Sequence, residues 1–153
     1  MYEEDPTNLV VYIGRGENTN FHVVDDELKE VLLLVNVRAE IYKRFGSCYF
    51  YNQRCQIKPG EHVLLKSGNM GKLTELIFVK EGDRVYRFFR MECFEKIDVM
   101  LKDFQVFEIK NSIIIAHVDT IARKVIAYPY NENAVMCIDY DRPNFDFNFP
   151  VPP

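Results

Sequence analysis

Short apolar runs punctuated by polar turns, repeated from Gly46 to Tyr140, constrain this chain more than any other feature of its sequence. SCYF, RCQI, HVLLK, GKLTELIFVK, RVYRFFRMECF, FQVFEI, SIIIAHV, RKVIAYPY and AVMCIDY each have the length and the β-branched or aromatic content of a strand. Strands this frequent, joined by short polar turns, predict a mainly β fold: a small antiparallel curled sheet or barrel with one or two short helical turns. With 153 residues, 48% of them hydrophobic, the chain is long enough for one such domain and too short for a second.

Three regions follow from the pattern. Residues 1–45 read as an N-terminal extension packed on the core. It carries a β-hairpin, Leu9–Ile13 and Phe21–Val24, across a loop with Gly14, Gly16 and Asn18. Next, DDELKEVLLLVNVRAEIYKRF satisfies two periods. Leu28, Val31, Leu32 and Val35 make a helical face behind a capping Asp25 or Asp26, while Val31, Leu33, Val35, Val37, Ala39 and Ile41 alternate as a strand does. The β-branched content favours a short turn near 25–29 and a long strand over about 31–43. Residues 46–140 form the β core, with a helical turn around Glu95–Leu101. Residues 141–153 are a Pro- and Phe-rich arm in which Phe145, Phe147 and Phe149 alternate.

The residues do not assemble a recognisable catalytic motif. His22, His62 and His117 lack metal-ligand spacing, although Asp119 stands two residues after His117 as a possible orienting partner. Gly14-Arg15-Gly16 starts a dinucleotide fingerprint that Thr19 breaks. In KSGNMGK only two residues separate Gly68 from Gly71, and a strand follows where a phosphate loop needs a helix. Gly68 and Asn69 read instead as a turn suited to positive φ. Cys48, Cys55, Cys93 and Cys137 form no C-x-x-C pair and read as reduced, mostly buried thiols. The expectation is a non-enzyme without cofactor or metal.

Net charge is -4, unevenly spread: residues 1–30 are acid-rich by six, 31–130 basic by five, and 131–153 acid-rich by three. Acidic ends such as Glu3, Glu4, Asp5, Asp25, Asp26 and Glu27 suit a basic partner, and Arg84, Arg87 and Arg90 suit nucleic acid or an acidic patch. No apolar run reaches the roughly 18 residues of a membrane helix, and MYEEDPTNL is acidic where a signal peptide is basic. The chain therefore reads as soluble and intracellular, with no membrane partner.

Over roughly Ile41 to Tyr130 the order of features resembles the bromo-adjacent homology (BAH) domain of chromatin proteins. Gly60-Glu61-His62-Val63-Leu64-Leu65 is similar to the stretch that opens its core, and Gly71-Lys72-Leu73-Thr74-Glu75-Leu76 to its Gly-Lys strand. Tyr86-Arg87-Phe88-Phe89-Arg90 is similar to its aromatic strand ending in Arg, and Ile121-Ala122-Arg123-Lys124-Val125-Ile126 to its closing strand. The resemblance implies a nuclear, non-catalytic module in gene silencing. Its partner would be a protein, a histone or chromatin-complex subunit, with nucleic acid met through the nucleosome. Some members cage methyl-lysine in aromatics; here Arg87 occupies the position of the family's Trp, and a guanidinium repels such a ligand. Partner- or ligand-binding candidates are Tyr49, Tyr51, Tyr86, Arg87, Phe89, Arg90 and Phe94. Two other readings stay open. One is a β-barrel protein adaptor, viral or derived from a mobile element, that lends its arm as a strand. The other is a single-stranded nucleic-acid binder stacking bases on VYRFFR.

Overall fold

The computed structural model describes residues 10–13, 21–51 and 53–139. The Gly14–Gly16 loop, the acidic residues Glu3 to Asp5 and the 141–153 arm lie outside them. In chain order the elements are β1 (Val10–Ile13), β2 (Phe21–Val23), α1 (Asp26–Leu34), β3 (Ile41–Phe45), β4 (Ser47–Phe50), β5 (Cys55–Ile57), β6 (His62–Leu65), β7 (Met70–Glu81), β8 (Arg84–Leu101), β9 (Phe104–His117), a 3-10 turn (Val118–Thr120), β10 (Ile121–Asn131) and β11 (Ala134–Asp139). The protein is mainly β, with one short helix and antiparallel sheets.

The large sheet runs β2-β3-β7-β6-β10-β11-β9-β8, and β8 pairs again with β7, so six of its strands form a near-closed ring. One edge of β7 serves two neighbours: Met70–Lys72 pairs with β6, and Leu76–Phe78 pairs with β3. The β7–β8 hairpin thus projects past the ring, and β3 and β2 lie alongside its outer half. A second sheet, β1-β4-β5, covers one face. The Tyr12 hydroxyl on β1 donates to the Phe88 carbonyl of β8.

A bulge sets which side chains face which core. Leu73 pairs with Met91, yet Glu75 pairs with Arg90, so Thr74 is an extra residue in β7 and its hydroxyl donates to the Arg90 carbonyl at 3.0 Å. Leu73 and Leu76, three apart, can then both enter the same apolar cluster with Phe89, Met91, Phe50 and Ile121. Glu75 turns to the opposite face with Ile77 and Val79, where α1 packs through Leu28 and Leu32 onto Tyr42 and Phe88. Gly71 is needed for another reason: a Cβ there would overlap the Glu92 carbonyl oxygen of β8 and press on the Met91 side chain. The KSGNMGK segment is the β6–β7 turn, with Gly68 at φ +98 and its N–H donating to the Leu65 carbonyl, as the sequence implied for that glycine.

Four local expectations are corrected. The stretch expected as a strand over 31–43 is α1 followed by the shorter β3. The Asp25 carboxylate caps the helix by accepting the Leu28 N–H at 2.8 Å, and the Leu28/Leu32 stripe is buried. The helix stops at Asn36 (φ 62), whose N–H reaches the Leu33 carbonyl while that of Val37 reaches Leu32, the bonding pattern of a left-handed C-terminal cap. The expected N-terminal hairpin is absent: β1 pairs with β4, and β2 pairs with β3. Residues 95–101 are the end of β8 rather than a helical turn. There Lys96 pairs with Phe107 and Met100 with Gln105, and the Gln105 amide donates to the Ile97 and Val99 carbonyls inside the bulge. Finally, FQVFEI and SIIIAHV are one strand, β9, whose Lys110-Asn111-Ser112 bulges instead of turning.

Candidate functional site

The outer half of the β7–β8 hairpin, with β3, β2 and α1, carries two different surfaces back to back. On the α1 face, Glu75 is 9% exposed and surrounded by cations and a hydroxyl. Arg90 Nε lies 3.2 Å from its Oε1, the Tyr42 hydroxyl donates to its carboxylate at 3.1 Å, and Arg44 pairs with Oε2. Arg90 also reaches Asp25 at 2.8 Å and Glu27 at 3.6 Å, so one guanidinium joins the buried carboxylate to the start of α1. Although burial opposes it, the Leu28 N–H and Arg90 together hold the Asp25 carboxyl below its ordinary range. Burial and the neighbouring Glu75 charge raise the Tyr42 phenol despite Arg44 beside it. The hollow here, about 350 Å³, is polar and internally charge-matched, which suits a clamp on the helix.

The other face is different in kind. Phe21 is 55% exposed, Val23 81% and Ile41 50%. Val23 stands opposite Ile41 and Phe21 opposite Lys43, whose ammonium lies 5.0 Å from the Phe21 ring centre. Phe21, Ile41 and Lys43, with Phe78 and Lys80 of β7, line a hollow of about 370 Å³, and Val23 stands beside it. Among the described residues these two lysines are its only charged lining, and neither takes part in an ion pair there.

The sequence-derived candidates do not converge. Phe89, Tyr86 and Phe94 belong to three separate apolar clusters; Phe89 and Phe94 are buried, and Tyr86 stacks on Phe88 at 6.5 Å. Tyr49 and Tyr51 meet edge to face at 4.9 Å near the small sheet, with Tyr51 exposed. Arg87 turns away from α1, and its guanidinium sits 5.8 Å from the Tyr12 ring centre. Arg90 joins the polar cluster around Glu75. Sequence reasoning missed Glu75, Tyr42 and Arg44, and also Phe21, Val23 and Ile41; the exposed apolar face was visible only as strand-like alternation in FHV and IYKRF.

Elsewhere the chemistry is quiet. His117 Nδ1 accepts the Asp119 N–H at 3.1 Å, which requires an unprotonated nitrogen, so the Asp119 carboxylate 3.3 Å away is a close contact rather than an ion pair. Burial lowers the His117 pKa and outweighs the opposing pull of that carboxylate. Burial also pushes the Cys48 thiol up to about 12 and Cys137 to about 11. All four cysteines are free. Among the described residues no group of three His, Cys, Asp or Glu is placed to hold a metal, and no helix is long and apolar enough to cross a membrane.

No protein-family model and no curated protein matches the chain.

Proposed function

We propose that this chain is a non-catalytic, BAH-like interaction module that docks on a protein partner in chromatin. The observation that carries the docking is the exposed apolar face of Phe21, Val23 and Ile41, held on a sheet rather than on a loop. Apolar side chains this exposed and this close together mark interaction sites. The motifs that resemble the BAH family supply the chromatin part of the reading: the Gly60–Leu65, Gly71–Leu76 and Tyr86–Arg90 segments contribute to the neighbouring strands β6, β7 and β8. A nuclear location and a histone, nucleosome or complex subunit as partner follow from that resemblance.

Docking rather than methyl-lysine capture is the mode proposed, because Tyr86, Phe89 and Phe94 wall no common pocket. Base stacking on VYRFFR is disfavoured as well, since Phe88 and Phe89 are both buried, on opposite faces of β8. The test is capture of mononucleosomes and of modified and unmodified histone-tail peptides by the immobilised chain, with a Phe21→Ser/Val23→Ser variant beside it. Capture of mononucleosomes that the variant loses is the expected result. No capture of either removes the chromatin partner.

A further inference from the structure

We infer that β2 is an acceptor edge to which an extended, acidic segment of a partner protein adds as a further strand; this rests on the docking reading above and narrows its partner to an acidic subunit of a chromatin complex, because basic histone tails carry the wrong charge for this face. Among the described residues β2 pairs with β3 alone and ends the large sheet. In an antiparallel ladder, hydrogen-bonded and non-bonded pairs alternate. The Val24 N–H donates to the Glu40 carbonyl at 2.9 Å, which makes Val24–Glu40 a bonded pair and, two residues on, His22–Tyr42 another. Phe21–Lys43 and Val23–Ile41 are therefore the non-bonded pairs. The backbone N–H and C=O of Phe21 and Val23 point away from β3, toward the open edge. The two residues that expose apolar side chains thus also present an unfilled backbone template, which is what strand addition uses.

Charge selects the occupant. Lysines often protect sheet edges against pairing, but they do so from the edge strand itself. Here β2 carries only Phe21, His22 and Val23, and the lysines sit one and two strands inward, at Lys43 and Lys80. From there they leave the edge open and favour a strand that alternates carboxylates with apolar side chains, while repelling a basic one.

The experiment titrates the whole chain with a short synthetic peptide alternating Asp and Val, against its Lys–Val counterpart, read by fluorescence anisotropy and by amide exchange. The expected result is binding of the acidic peptide only, slowed exchange at Phe21 and Val23, and at least about tenfold weaker binding in Lys43→Glu/Lys80→Glu. Val23→Pro removes an outward N–H and leaves the β3 pairing intact, so it should abolish binding while the circular dichroism stays β-rich. Equal binding of the two peptides, or unchanged binding to a folded Val23→Pro variant, overturns the inference. So does a dimer of the chain that Val23→Pro dissociates, which would assign the edge to a second copy. Failure with the acidic peptide alongside capture of nucleosomes sinks the edge and leaves the chromatin reading standing; peptide binding without nucleosome capture does the reverse.

Discussion

Glu75 stands directly across the β7–β8 ladder from Arg90 because Thr74 is an extra residue in β7 with no counterpart in β8. Without that bulge the strict two-residue alternation would pair Glu75 with Phe89 and turn it into the apolar cluster of Leu73 and Met91. The bulge therefore sets both the packing of one core and the electrostatics of the opposite face.

Replacing Glu75 by Ala should take the carboxylate from the Tyr42 hydroxyl and from Arg90 Nε, while the guanidinium keeps Asp25 and Glu27. Because Arg90 stays paired with Asp25, the cost should be that of buried groups losing a hydrogen-bond partner, about 1–3 kcal/mol, rather than that of an orphaned buried charge. The urea midpoint should fall accordingly, whereas Glu75→Met combined with Arg90→Met should lose much less than the sum of the single changes. Strict additivity of the two would mean that the contact carries no coupling.

Gly71→Ala should destabilise the protein by about 1–3 kcal/mol through overpacking. A methyl at this position meets the Glu92 backbone oxygen, which cannot move without spreading β7 from β8. Thermal unfolding monitored by circular dichroism measures it, and a neutral substitution would contradict the close approach of the two strands.

Acidification should weaken the fold in two stages. Burial lowers the pKa of His62, helped by Lys72, and burial likewise lowers that of His117, so the native state resists protonation while the unfolded chain takes up protons near 6.5. The unfolded state then binds more protons, and stability falls as pH drops below about 6.5. Asp25 acts later: its folded pKa lies below the ordinary 3.8, so its contribution is complete above that value and disappears as pH falls further. Urea midpoints in His62→Gln/His117→Gln should lose the first stage, and those in Asp25→Asn the second.

Phe21→Ser and Val23→Thr should each change stability by no more than about 0.5 kcal/mol, because both side chains are more than half exposed. A loss several times larger, read from the same midpoints, would make the face part of the core rather than a docking surface.

Most strands were legible because each alternates against a single neighbouring core and ends at a polar turn. The exceptions share one physical origin: a pattern broken by something other than a turn. Lys110-Asn111-Ser112 has the composition of a loop but is a bulge that β8 spans without interruption. Ile97, Val99 and Leu101 alternate properly with Lys96, Asp98 and Met100, and it is the Gln105 side chain, from the strand on the other side of the turn, that satisfies the Ile97 and Val99 carbonyls of the irregular stretch. In 25–37 the Val and Leu content suits a strand, yet Asp25 and Asn36 fix both ends of a helix with side-chain and left-handed caps, and local capping outweighed β propensity. The Glu75 cluster was legible only through Arg90 and the capping Asp25, since it draws on α1, β3, β7 and β8, and its geometry depends on a single inserted residue.

The near-closed ring has a consequence for synthesis. Val63 of β6 finds its partner, Lys124 of β10, only after roughly sixty further residues have been made. While the chain leaves the ribosome, the β7–β8 hairpin can zip locally, but one side of β6 stays uncovered until β10 emerges. A chain truncated before Ile121 would keep that side bare, so the cell's quality-control machinery should meet such fragments as sticky half-rings, whereas the finished chain hides the same residues within its own seam.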